Sequence, residues 1–499
     1  MRETSDDTTE RPSEPSSTPR GVGAFFARHR TAWLITAAAA GFALIGSGAV
    51  AVGAATSPVV TSSAQTAEVQ DVAPSTSASP TPTPTATTPP PRPVPANAVP
   101  ASKLRTCSVQ GLTTDPRFGN MQAQALNADT GEVLFDRDAN TPNRTASVLK
   151  VLTTSAALSA LGPDYRATTR VVQGSEPGTI VLVGGGDVTL TRLPTGQESI
   201  YKGAAHLDDL AARAKTAYEA SNPGVPITKI VLDASYFGGD GWQPSWETSE
   251  RWNGWMSIIT ALQVDGDRDN PVLQDSPRST DPVARAGTAF ASYFGGVPTV
   301  VGTAPAGATE LAQVQSQPVS VLVKQTLVPS DNSVAEMLGR LTAIKMGAGN
   351  TFDAIRQATP QALQAYGIDT SGIVTVDGSG LSDNNAVPPK YLTQLMLKVN
   401  KREGNLGNIY DGLPVAGRSG TLSFSDRFNG GNTVARGHIF AKTGSIKTGY
   451  TLSGIVKAKD GSTLVFAIFA LGKVSATARQ AIDTLATGFY NCGNNLSNN

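Results

Sequence analysis

From Leu104 onward, apolar and polar positions alternate in short runs, separated by longer stretches with the spacing of helices. "MQAQALNADTGEVLFDRDANTPN" predicts two strands about a turn at Asp129-Thr130-Gly131, where turn-forming residues interrupt the alternation. Strand patterns recur in "TIVLVGGGDVTL", "ITKIVLDASYF", "GHIFAKTG", "YTLSGIVKA" and "STLVFAIFAL". The last three, joined by short turns such as Lys459-Asp460-Gly461, predict an antiparallel meander. A closing helix is expected over about Ser475 to Tyr490. Strands at both ends with helices between them predict an α+β domain whose sheet unites the two ends of the folded region.

One predicted helix carries an anomaly. In "TASVLKVLTTSAAL", Thr145 to Leu158, apolar side chains fill nearly every turn, so the helix is expected to be buried. Lys150 lies within it, although desolvating an ammonium is costly. Ser147 precedes it by three residues, which places both side chains on one helical face. A desolvated lysine loses its proton more readily, and a neutral lysine can take a proton from a serine. On its own the pair also fits a capping serine beside a lysine that snorkels to solvent.

The N-terminal region follows a different pattern. Residues 1–30 are polar, end in Arg28-His29-Arg30, and predict a disordered cytoplasmic tail. Thr31 to Ala55 carry no charge; as a helix of about 1.5 Å per residue this run covers a bilayer. A retained transmembrane anchor fits it, and its small-residue end, "AVGAAT", also fits a cleaved signal segment. Residues 56–100, including "SPTPTPTATTPPPRPVP", predict an extended linker that reaches up to roughly 130 Å at about 3 Å per residue. The folded domain is therefore expected outside the cytoplasmic membrane. In that setting Cys107 and Cys492 are expected to form a disulfide, adding about 4 to 5 kcal/mol in the chain-entropy picture.

Composition narrows the chemistry. Acidic and basic residues number 40 each, which gives no electrostatic case for nucleic acid. Three histidines, His29, His206 and His438, without HExxH or CxxC, offer little for zinc. No metal and no cofactor are expected.

Two further motifs change the weight of Ser147–Lys150. "PSDNSVAEMLGRL" supplies Ser330-Asp331-Asn332 ahead of an amphipathic helix, and "GHIFAKTGSI" supplies Lys442-Thr443-Gly444 at the end of a strand. Each motif has a decoy: Ser199–Lys202, Ser382-Asp383-Asn384 and Lys447-Thr448-Gly449. Ser199–Lys202 lies in a polar setting, "NAVPP" follows the second SDN, and Lys447 would face the other side of a continuous strand. Taken singly, Ser330 also fits a helix cap and Lys442 an ordinary strand-to-turn passage.

The order SxxK, SDN, KTG resembles the signature of penicillin-binding proteins and serine β-lactamases. With "LVGGGDVTL", "DASYF", "DGSGLS" and "LPVAGRSGTL", the chain resembles the class C low-molecular-mass penicillin-binding proteins. These are the D-alanyl-D-alanine carboxypeptidase/endopeptidases of peptidase family S13. The resemblance implies a β-lactamase/transpeptidase-like domain, an antiparallel sheet flanked by helices plus a helical subdomain, over 101–164 and 286–499. The long interval from Ser147 to Ser330 implies an inserted domain at 165–285.

The resemblance also implies the roles. Ser147 is the nucleophile and Lys150 its general base, assisted by the nearby Lys442 cation. Ser330 relays a proton to the leaving amine, and Asn332 holds the substrate's peptide carbonyl. Lys442 and Thr443 bind the terminal carboxylate, Gly444 leaves room for the substrate backbone, and the Ser147 and Ser445 N–H groups form the oxyanion hole. Asp233 and Asp383 are placed at the stem-peptide side chain; Asp383 stands where arginine is common, which implies a substrate carrying an amide there. Expected partners are peptidoglycan stem peptides, β-lactams, and the membrane through the N-terminal segment. A β-lactamase and a non-catalytic wall-binding scaffold of the same fold are the rival readings. Four tryptophans, Trp242, Trp246, Trp252 and Trp255, fit either sugar stacking or packing between the insert and the main domain.

Overall fold

The computed structural model describes residues 104–498. The tail, the uncharged span and the linker expected over 1–100 lie outside the described residues.

β1 (Cys107–Ser108), β2 (Asn120–Asn127) and β3 (Val133–Arg137) open the domain. The β2–β3 turn forms where the pattern puts it, because Asn127 Oδ1 accepts the N–H groups of Asp129 and Thr130, both at 2.9 Å. β4 (Thr168–Gln173), β5 (Thr179–Val183), β6 (Lys229–Asp233), β7 (Thr299–Val301) and β8 (Glu310–Gln315) form a separate sheet in the order β7-β6-β5-β4-β8. β5, β6 and β7 run parallel, with Leu207–Ser221 and Pro282–Ala291 as crossover helices, and β4 is antiparallel to β5 and β8. Leu182, Leu210, Tyr218, Ile230 and Phe290 form a core of its own.

The insert therefore extends past the boundary expected at 285. That position falls inside the Pro282–Ala291 helix, and two strands of the same sheet follow it. The physical reason is that both late strands are edges: β7 is three residues long, and β8 alternates polar and apolar side chains. Neither carries the apolar run that marks β5 and β6.

β9 (Ile439–Ile446), β10 (Gly449–Lys457) and β11 (Thr463–Leu471) form the expected antiparallel meander. β2 lies beside β11, where the Ala128 N–H donates to Thr463 O at 2.8 Å. Alternate residues of β11 serve two cores. Phe466 and Ile468 meet Leu485 and Phe489 of the Ala478–Cys492 helix, whereas Val465 and Phe469 join Leu392 and Leu395 of the Pro389–Asn400 helix. Burial of both faces explains why "STLVFAIFAL" is apolar throughout. The C-terminal helix starts at Ala478, slightly later than expected, and ends at Cys492. β12 (Leu496–Ser497) then pairs in parallel with β1, and Cys107 is disulfide-bonded to Cys492.

A helical subdomain completes the main body: Leu149–Ala160, Val319–Leu327, Asn332–Lys345 and Phe352–Leu363. Every residue from Leu149 to Leu158 is buried, Lys150 included. Lys442 lies on β9 at a position equivalent by alternation to Phe440, on the face toward this subdomain.

Candidate active site

Ser147 sits in a 3₁₀ turn, Ala146–Val148, that leads into the Leu149–Ala160 helix. Ala146 holds φ +46°, a conformation that costs a residue with a Cβ about 1 to 3 kcal/mol. The turn is clamped from two sides. Thr451 Oγ1 on β10 donates to Thr145 O at 2.5 Å, and Gly380, at φ +81°, presses on Ala146 O so closely that a Cβ would stand 2.0 Å from it.

Lys150 answers the anomaly in the sequence. Its fully buried Nζ stands 2.8 Å from Ser147 Oγ, 2.6 Å from Asn332 Oδ1 and 2.7 Å from Ser379 O. The last two can only accept, so a neutral amine spends its two N–H bonds on them and turns its lone pair to the Ser147 hydroxyl. Burial is the main influence on this group and brings its pKa down to about 8, against the carboxylates of Asp377, Glu336 and Asp331. The expected interaction between the two lysines is present, and it bears on Lys442, whose pKa Lys150 helps to lower.

Ser330 holds φ +64°, and its Oγ accepts from Lys442 Nζ at 2.8 Å. The cap of the Asn332–Lys345 helix is Asp331 rather than Ser330: Asp331 Oδ1 accepts the Val334 N–H at 3.0 Å. Asp331 Oδ2 accepts from Arg268 Nη2 at 2.8 Å and Tyr201 OH at 3.0 Å, both from the insert. Burial opposes ionisation of Asp331, but Arg268 and the cap bond outweigh it and hold its pKa below the usual carboxylate value. Asn332 Nδ2 donates to Trp255 O at 3.0 Å, which leaves a second N–H for a ligand.

Lys442 is fully buried and also donates to Thr443 O at 2.8 Å. Burial first, then the nearby Lys150 and Arg427, push its pKa well below that of a free lysine. Thr443 Oγ1 shares a 2.7 Å hydrogen bond with Thr421 Oγ1. Gly444 differs from expectation. A Cβ there would stand 2.1 Å from Thr451 Oγ1 and 2.6 Å from Thr145 O. The room it provides is thus already filled by the protein, which uses it to bring β9 against the Ser147 turn. Ser445 is exposed, and β9 is the outer strand of the β11-β10-β9 order.

Ser147, Ser330, Asn332, Thr443, Gly444 and Ser445 line one cleft of about 300 Å³, with Glu250, Trp255, Arg278 and Phe424 among its other walls. Asp233 and Asp383 are not among the residues that line it. Asp233 closes β6, and its oxygens accept from Ser235 N–H at 2.9 Å, Ser235 Oγ at 2.6 Å and Ala304 N–H at 2.8 Å, which fixes loops of the insert. Asp383 accepts from Thr448 Oγ1 at 2.7 Å and lies 3.9 Å from Arg144. The decoys stand apart from this chemistry: Ser199 Oγ accepts the Tyr201 N–H, Ser382 Oγ accepts from Ser245 Oγ, and Lys447 pairs with Glu247. Trp246 is buried and donates to Asp377 Oδ2 at 2.9 Å, whereas Trp252 is exposed.

Arg268, Tyr201, Glu336 and Asp377 escaped the sequence reading. Glu336 gave no signal, because Asn332, Ser333 and Arg340 share its helix face and a polar face reads as a solvated one. Arg268 and Tyr201 act through contacts distant in the chain, which spacing does not encode.

The family model described as D-Ala-D-Ala carboxypeptidase 3 (S13) matches residues 106–284 and 278–489. Carboxypeptidase DacB of Mycolicibacterium smegmatis is 36% identical over 387 residues, covering 76% of this chain and 82% of that protein. Carboxypeptidase Rv3627c of Mycobacterium tuberculosis is 35% identical over 403 residues, covering 79% and 86%. The crystal structure of penicillin binding protein 4 from Haemophilus influenzae shares the fold, with a TM-score of 0.61 and 21% identity over 74% of this chain and 96% of that one. With the three motifs gathered at one cleft and the family model spanning nearly all of the described residues, this chain belongs to the D-Ala-D-Ala carboxypeptidase 3 (S13) family.

Proposed function

We infer that this protein is a serine-type D-alanyl-D-alanine carboxypeptidase that trims peptidoglycan stem peptides and is acylated by penicillins. The observation that carries the reading is the buried amine of Lys150, 2.8 Å from Ser147 Oγ and already bonded to two pure acceptors. The Ser147 O–H proton passes to Lys150 Nζ as Oγ attacks the carbonyl between the two D-alanines. The N–H groups of Ser147 and Ser445 receive the developing oxyanion, each worth about 10² to 10³ in rate. Collapse breaks the amide C–N bond, and the departing amine receives, through the Ser330 hydroxyl that Lys442 orients, the proton that Lys150 took from Ser147. Water then hydrolyses the Ser147 ester. Lys442 and Thr443 hold the substrate's terminal carboxylate, whose arrival favours the charged form of Lys442. An extended peptide adds along the outer edge of β9.

Mass spectrometry tests the assignment. A labelled penicillin is expected to add one adduct per chain, and Ser147→Ala is expected to abolish it; an adduct that persists in that variant removes Ser147 as the nucleophile.

We also place the catalytic domain outside the cytoplasmic membrane, held by the uncharged segment 31–55. The supports are the arginines before that segment, the Pro-rich linker after it and the Cys107–Cys492 disulfide, which suits an oxidising compartment.

A further inference from the structure

The loop from Asp377 to Ser382 threads between the two helices that carry Lys150 and Asn332, and it is held by two buried carboxylates. Glu336 Oε2 accepts the Gly378 N–H at 2.8 Å, and Glu336 Oε1 accepts the Ser379 N–H at 2.7 Å. Asp377 Oδ1 accepts from Gly380 N–H and Asn385 Nδ2, both at 2.8 Å. Its Oδ2 accepts from Ser382 N–H at 2.8 Å and Trp246 Nε1 at 2.9 Å. Thr153 Oγ1, one turn after Lys150, donates to Gly378 O at 2.6 Å. The product of these bonds is one carbonyl, Ser379 O, aimed at Lys150 Nζ.

We propose that Glu336 is a positioning residue for the Ser147–Lys150 pair: its carboxylate, by holding two successive N–H groups, fixes the Ser379 carbonyl against the amine and supplies the negative charge that receives the lysine cation. The proposal rests on Lys150 as the base. When Ser147 gives its proton to Lys150, a cation forms in a site closed to water. A fixed carboxylate beyond the Ser379 peptide stabilises that cation without any rearrangement. Glu336 is fully buried. Burial first and then the neighbouring Asp377 raise its pKa to about 8, against the N–H bonds that both of its oxygens accept, which favour the anion. The charged groups around Lys150 are Asp331, Glu336 and Arg340 on or capping the Asn332–Lys345 helix, Asp377 in the loop, Lys442 on β9, and Arg268 reaching Asp331 from the insert.

The test is the rate of acylation by a fluorescent penicillin across pH 5 to 10 in the full chain and three variants. Glu336→Gln removes the charge, so the acid limb of the profile is expected to move down by about one pH unit, with a lower plateau. Glu336→Asp keeps the charge but falls short of the two N–H groups; its limb should stay in place while its rate falls at least about tenfold. A folded Glu336→Gln with an unmoved limb overturns the proposal, because a purely structural role lowers the rate without shifting the limb. Should the Gln variant fail to fold, Glu336→Asp decides, and a wild-type rate there overturns it. Lys150→Ala separates the two readings. If that variant still acylates, the base assignment itself fails; if it is silent while Glu336→Gln keeps its limb, only the role of Glu336 fails.

Discussion

At the scale of single residues, the chemistry follows from burying an amine among acceptors. A lysine in solvent is protonated at neutral pH and useless as a base; burial lowers the pKa of Lys150 to about 8, so a useful fraction is neutral near pH 7. The sign is fixed by the role: only the neutral amine accepts the Ser147 proton. Acylation by penicillin is therefore expected to be slow at low pH, to climb through about pH 8 and then to level off, as stopped-flow measurements would record. A profile flat from pH 6 to 9 would detach Lys150 from the reaction. This much was legible, because a charge on an apolar helix violates the pattern around it. Asp233 and Asp383 had only likeness behind them; Asp233 is held by N–H and hydroxyl groups of the insert, and the half-exposed Asp383 accepts from Thr448 Oγ1. The sequence does not announce these placements, because Ala304 and Thr448 lie far along the chain from the carboxylates they meet.

At the scale of elements, the site is built where one helix cap, one strand edge and one inserted sheet meet. The insert reaches the motif through Arg268 and Tyr201, which share Asp331 Oδ2, and Arg268 Nη1 also donates to Tyr201 OH at 2.7 Å. The Arg268 and Asp331 side chains are 1% and 2% exposed, so removing one leaves the other charged, buried and unpaired. Arg268→Met is expected to lower stability by about 3 to 5 kcal/mol in chemical denaturation and to slow acylation, since Asp331 fixes the strained Ser330 turn. Unchanged stability would mean that Asp331 finds another partner. The inner strand β4, "TTRVVQ", was missed because half of it is polar, whereas the inner strands β5 and β6 were readable from their apolar runs and the β9–β11 meander from its short turns. The edge strands β7 and β8 were not, because an edge is kept short and half polar and so lacks the signal that identifies a strand.

At the scale of the molecule, the central sheet takes β2 from the start of the domain and β9 to β11 from its end, which explains why strand patterns at the two ends predicted one domain. The disulfide reinforces the same closure across 385 residues of sequence. Replacing Cys107 and Cys492 together by serine is expected to lower stability by up to about 5 kcal/mol. The penicillin-reactive site should survive at 25 °C, because neither cysteine lines the cleft. A thermal melt compared with an acylation assay on one sample checks both halves. The same bond makes the domain a covalent ring. A protease that nicks any loop of the insert opens the ring without releasing a fragment, and both halves of the cleft remain on a single molecule until a reductant reaches the sulfurs. Damage to the backbone of the insert need not become loss of the enzyme.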